Sequence, residues 1–208
     1  MIICISYLCS FTYSQSIIQE LKLDYSVLHR VHGSDTITSI ESGAIISDGD
    51  NLKINVQFKN NFTCYVIYED PDHNIAFLYN SSSDSLKNIS PYFYNTKWLK
   101  FSPPLGIETL YFILSQSPLI TLEKVVVDLG VSSGGRARKF FKRFTSEINK
   151  LSSPNKNSTL LTTRLDKPIV GGVTFRGDEG EINAYSLTHE IRRSNVDVII
   201  KTITFQHE

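Results

Sequence analysis

The chain has 208 residues, 41 % hydrophobic and 20 % charged: about one domain, with enough apolar content for a core, and neither a disordered chain, a coiled coil nor a collagen-like repeat. Lysine plus arginine and aspartate plus glutamate balance at 21 each, so the formal net charge is zero, which speaks against gripping nucleic acid or an anionic membrane as the main work. Twelve Phe and ten Tyr beside a single Met favour a β-rich core.

Residues 1–14 carry no charge and have the length of a signal-peptide h-region. They are too short to span a bilayer, which needs about 20 apolar residues, so no integral membrane span is expected. The segment predicts export, with a first strand or helix start of the domain as the alternative. Cys4 and Cys9 lie within it and leave Cys64 alone in the apolar run 62–68, where it reads as a small hydrophobe. Neither a disulfide framework nor a cysteine-based metal site follows.

From 15 to 31, Ile17, Ile18, Leu21, Leu23, Val27 and Leu28 form a mixed pattern, compatible with a short helix or an irregular lead-in that runs to 44. Leu52, Ile54, Val56 and Phe58 then alternate with polar residues, a period of two that predicts a half-buried strand. A more continuously apolar strand follows over 62–69. The turn formers Asp70-Pro71-Asp72-His73-Asn74 lead to a return strand over 75–79, so 50–80 reads as a three-strand antiparallel meander. Further strands are expected over 98–101 and 109–114, and strands at this spacing suggest a sandwich. Phe140, Phe144, Ile148 and Leu151 fall at helical spacing within 137–151. After a Ser/Asn/Pro linker at 152–158 the text returns to strands, over 169–175 and over 196–205, the latter closing a sheet. The expected fold is mainly β: an immunoglobulin-like antiparallel sandwich over 45–120, with a helix and a C-terminal strand extension over 121–208 packed on the same domain.

Within 45–120 an ordered series of short motifs resembles the bacterial family called domain of unknown function 4384. Asp48-Gly49-Asp50 before Leu52 is similar to its opening Ser-Gly-Asp, and Cys64-Tyr65-Val66-Ile67-Tyr68 to its Tyr-Leu-Tyr-Val strand. The stretch from Asp72 through Phe77 to Asn80 resembles its hairpin, Pro103-Pro104-Leu105-Gly106-Ile107-Glu108 its Pro-x-Gly-x-Glu turn, and Leu114-Ser115 with Pro118-Leu119 its close. The resemblance implies an immunoglobulin-like sandwich serving as an accessory module of exported or envelope proteins, or one attached to caspase-like peptidases. It implies no catalytic residues.

Several constellations bear on chemistry. His189-Glu190 lacks the second histidine that a zinc-protease helix needs, since position 193 is Arg, and His189 reads as a surface residue. His29 and His32 would share a face only on a helix, and no third ligand is marked. Asp70-x-Asp72-x-Asn74 has Ile75 and Ser81 where a calcium loop needs Gly and Glu, so it reads as a turn. Ser132-Ser133-Gly134-Gly135-Arg136 lacks a phosphate-loop ending, and no cofactor is expected.

Two groups remain as candidate binding residues. Arg138, Lys139, Lys142 and Arg143, with Arg136, form the sharpest basic cluster, suited to an acidic partner or to the solvated face of a docked helix. Tyr92, Tyr94 and Trp98, with Phe93, suit a sugar- or peptide-gripping edge or equally a core.

The expected function is a non-catalytic, exported (periplasmic or secreted) accessory module that binds an envelope protein or a wall polymer. A regulatory appendage of a caspase-like peptidase system is the alternative. Weaker is a hydrolase built on Asp178, Glu179, Glu181 and His189, and a cytoplasmic location is the alternative to export.

Overall fold

The computed structural model describes residues 20–59, 61–83, 92–152, 161–165, 188–194 and 196–208. In chain order these form β1 (Glu20–Arg30), β2 (Ile37–Ser39), β3 (Ala44–Ile46), β4 (Asn51–Phe58), β5 (Thr63–Glu69), β6 (Ile75–Asn80), β7 (Tyr92–Asn95), β8 (Leu99–Lys100) and β9 (Gly106–Ser115). Then come α1 (Ile120–Gly130), α2 (Gly134–Ser152), β10 (Leu161–Leu165), β11 (Thr188–Ser194) and β12 (Val198–His207).

The strands make two sheets. The first runs β10-β11-β1-β4-β7, with β2 also on β1 and β8 also on β4; the second runs β3-β12-β9-β5-β6. All pairings are antiparallel except β3 with β12. The two sheets face each other and the helices cover the far side of the second sheet, so the expected mainly-β sandwich is present as three layers, sheet on sheet on helices.

Residue phase explains this order. Leu52, Ile54, Val56 and Phe58 of β4 and Leu21, Leu23, Tyr25 and Val27 of β1 all point at the second sheet. The far side of the first sheet carries Lys53, Gln57 and the ion pairs of Lys22 with Glu190 (2.6 Å) and Asp24 (3.6 Å). Strands β5 and β9 of the second sheet are buried on both faces along most of their length, and they are accordingly near-continuous in apolar residues. Cys64 and Val66 of β5 and Leu110, Phe112 and Leu114 of β9 face the first sheet, while Tyr65, Ile67, Tyr111 and Ile113 face the helices.

Four expectations change. Residues 20–30 are a strand central to the first sheet, neither a helix nor an irregular lead-in: the alternation of Leu21, Leu23, Tyr25 and Val27 decides. The stretch 50–80 is no meander, because β4 and β5 lie in different sheets, so the chain changes layer between Phe58 and Thr63. Helix α1 was not expected. Its run Val125-Val126-Val127 favours strand, yet Leu122, Val125, Val126 and Leu129 line up at helical spacing and pack on the second sheet. His189 is 7 % exposed, no surface residue: Ile191 faces inward, so His189 two positions earlier does too, and its ring stacks on Tyr25 at 5.1 Å.

The strand of 52–59, the turn at 70–74, the helix of 137–151 and the strand of 196–205 are found close to their expected places. The strand expected at 169–175 lies outside the described residues, as do the segment 1–14 with Cys4 and Cys9, and Asp178, Glu179 and Glu181. No helix among the described residues is long and apolar enough to cross a membrane.

Candidate functional site

Helix α2 docks through Phe140, Phe144 and Ile148, spaced one turn apart and all buried. Each contributes roughly 1.5–3 kcal/mol of burial. That anchoring turns Arg136, Arg138, Lys139, Lys142 and Arg143 outward, all exposed. None of the five forms an ion pair among the described residues. Arg136 and Arg143 lie over the Phe140 ring, at 5.7 and 5.5 Å, and cover the dock. Arg138 and Lys142 instead line a groove of about 710 Å³ between the start of α2 and the β5–β6 turn.

The turn is built for this approach. The Asp70 carboxylate accepts from Asn74 N (2.8 Å) and Asn74 Nδ2 (2.7 Å), closing a tight loop. His73 takes a left-handed conformation, φ +63°, uncommon for a residue with a side chain. Its ring stacks on Phe141 at 4.2 Å, and its Nδ1 sits 2.7 Å from Glu69 Oε1. Glu69 is 8 % exposed, and its other oxygen accepts from the Tyr111 hydroxyl at 2.6 Å. Burial and this bond push the Tyr111 hydroxyl pKa well up, so Tyr111 stays a donor. His73 is thus held from below by a buried carboxylate while 60 % of its side chain stays exposed.

Gly106 sets the other side of the turn. At φ +141° it passes so close to Pro71 that a Cβ there would meet Pro71 Cβ at 2.9 Å. The groove joins cations at Arg138 and Lys142, the Ser133 hydroxyl and the first turn of α2 with apolar surface from Leu129 and Phe141; Asp72 stands on the hairpin lip. Chemically it suits a carboxylate or phosphate carried on a partly apolar partner.

The aromatic candidates do not form one surface. Tyr94 pairs with Val56, faces the core, stacks on Tyr79 at 4.0 Å and donates its hydroxyl to Leu78 O at 2.9 Å. The side chain of Tyr92 lies outside the described residues. Trp98 is half-buried, with the Arg30 guanidinium 4.6 Å and the Lys53 amine 5.8 Å from its ring, and belongs to the rim of a second cavity. Lys139 is exposed on α2 but lies off the groove.

Other readings resolve structurally. Asp50 accepts from His32 N (2.7 Å) and Ser47 N (3.0 Å) and lies 2.8 Å from His29 Nε2, so His29 and His32 meet at a carboxylate. Burial alone would raise the Asp50 carboxyl, but these bonds outweigh it and its pKa is lowered. No group of three or more metal-ligating side chains exists among the described residues. Cys64 is fully buried, and burial pushes its thiol far up, away from nucleophilic use. His189 lies 3.7 Å from Glu41 in a small cavity of about 150 Å³.

The sequence marked Arg138 and Lys142 by charge density. It marked the turn only as a turn, and the meeting of His73 with Phe141 is a tertiary fact with no local signal. Comparison with known proteins gives no match: no family model, no curated protein and no solved structure. These comparisons lend no support to the resemblance over 45–120.

Proposed function

We propose that the chain is a non-catalytic recognition module of an exported protein, and that the groove between the β5–β6 turn and the start of α2 binds an acidic segment of a partner protein. The observation that carries this reading is the placement of Arg138 and Lys142, without ion-pair partners among the described residues, on the wall of a groove opposite an anchored His73. Two cations that only kept a helix wet would gain nothing from facing a preformed concavity. The apolar lining by Leu129 and Phe141 favours a peptide with acidic and apolar side chains over a bare polyanion. Export is supported by the uncharged, apolar residues 1–14 and by the likeness of 45–120 to an envelope-associated family.

Fluorescence anisotropy with a labelled decapeptide of alternating Glu and Phe tests the site. Arg138→Glu with Lys142→Glu is expected to weaken binding about tenfold or more, with Lys97→Glu plus Lys150→Glu, both exposed and off the groove, as the charge-matched control. Equal losses from both variants would reduce the effect to overall charge. Preference for a phosphate-bearing wall polymer over the peptide would replace the protein partner by a polymer. A reporter fused to residues 1–20 that stays in the cytosol would remove export.

A further inference from the structure

The second cavity lies on the opposite, inter-sheet side of β5 and owes nothing to the groove. It has a volume of about 470 Å³, within the range of small-ligand sites, and opens between two sheet-edge elements, β6 and β8. Leu52 and Ile54 form one wall and Leu110 the other, all buried. A β-bulge supplies a third contact. Val66 pairs with Tyr79 and Ile67 with Phe77, so Leu78 is the extra residue and reaches the cavity beside the inward-facing Tyr79. The chain from Phe101 to Pro104 closes the end, and its Pro103–Pro104 peptide is cis.

The polar groups here are matched in kind. The Tyr68 hydroxyl donates to Glu108 Oε2 at 2.5 Å, so toward a ligand Tyr68 has only lone pairs left to offer. Asp70 lines the same cavity and is a carboxylate, an acceptor by nature. Behind Tyr68, Glu108 is 1 % exposed and 2.8 Å from His207 Nδ1. The donors in the lining, Lys100, Ser102 and the Trp98 indole N–H, belong to its rim: Lys100 and Ser102 are exposed and Trp98 is half-buried. The walls are therefore apolar, and the acceptors beside them are the Tyr68 oxygen and, at the turn, the partly buried Asp70 carboxylate, which carries the negative charge. What complements them is an apolar chain ending in a charged donor.

We propose that this inter-sheet cavity is a binding site for a primary alkylammonium group, its carbon chain against Leu52, Ile54, Leu78 and Leu110 and its nitrogen at Asp70 and the Tyr68 oxygen. The same chemistry belongs to a free aliphatic amine and to a lysine side chain on a partner.

Amide-resolved NMR titration of the full chain with n-hexylammonium, n-hexanol and n-hexanoate tests it. The expected result is that hexylammonium shifts amides of Leu78, Leu99 and Phe101 and binds about tenfold more tightly than hexanol, with hexanoate weakest. Asp70→Asn should bring hexylammonium down to hexanol. Because Asp70 also closes the turn, Asn74→Ala, which removes the side-chain bond to Asp70 Oδ2 and keeps both the charge and the backbone bond, should retain the amine preference. Nα-acetyl-lysine methylamide separates the sources: tighter binding than hexylammonium assigns the site to a partner's lysine, weaker binding to a free amine. Equal affinity for amine and alcohol, preference for the carboxylate, shifts confined to other residues, or no saturable shift in the millimolar range would each overturn the assignment.

Discussion

The two faces of the second sheet are held in different ways. Toward the first sheet the contact is almost wholly apolar, with Leu110, Phe112, Leu114, Cys64 and Val66 against Leu23, Tyr25, Ile54 and Val56. Toward the helices, Ile67, Ile113 and Phe144 pack, but two tyrosines also reach across with directed bonds. Tyr65 accepts from Leu119 N and donates to Glu123 Oε1, each at 2.7 Å, and so stands in for the cap that α1 lacks. Tyr111 donates to Glu69, which in turn holds His73 against α2. Area alone tolerates sliding, whereas hydrogen bonds fix register. The inner face thus supplies stability, and the outer face sets where the helices, and with them the groove, sit.

The largest effect expected breaks the inner face. Phe112 is fully buried there, and Phe112→Ala should cost about 3–5 kcal/mol in denaturant unfolding. Next, Asp50→Asn removes a charged acceptor that ties β1 to the turn before β4, and about 2 kcal/mol should be lost. The sign of the pH dependence follows. The folded carboxyl lies below its ordinary value of 3.8, so its contribution is complete above that pH and is lost as acid protonates the folded form. A thermal melt series below pH 4 should therefore fall more steeply for the parent than for Asp50→Asn.

A smaller change sharpens the contrast. Tyr65→Phe and Tyr111→Phe keep the rings and delete the directed bonds, so each should cost about 1–2 kcal/mol. Tyr111→Phe should also weaken peptide binding at the groove, because His73 loses part of its support, and titration of the two variants side by side would show it. If Tyr111→Phe leaves binding unchanged, the outer face does not set the groove's geometry. Smallest of all, Arg138→Glu with Lys142→Glu should move stability by no more than about 0.5 kcal/mol while weakening peptide binding about tenfold or more.

Much of the fold could be read in advance where local pattern and final environment agree. The alternation in β4 and the helical spacing of Phe140, Phe144 and Ile148 each say which face is wet. Reading failed where a layer was shared. Strand β1 looked mixed because Leu28 and His29 are buried beside the inward series, one on each face of the strand. Helix α1 was hidden by its valines, since propensity is weak beside the burial of Leu122, Val126 and Leu129. Of the sites, Arg138 and Lys142 were legible as charge, Tyr94 was recognised as either edge or core and is core, and the inter-sheet cavity was illegible because five separate stretches of chain meet there.

Strand β12 lies between β3 and β9, and its ladder with β9 runs from Val198 opposite Ser115 to His207 opposite Gly106. Ribosomes deliver β9 long before β12, with both helices made in between. During that interval the apolar edge of β9 has no cover and is open to pairing with a neighbouring nascent chain. Production of the protein is therefore timed by β12, and a chain halted before Val198 should accumulate as aggregate even though α1 and α2 are already present.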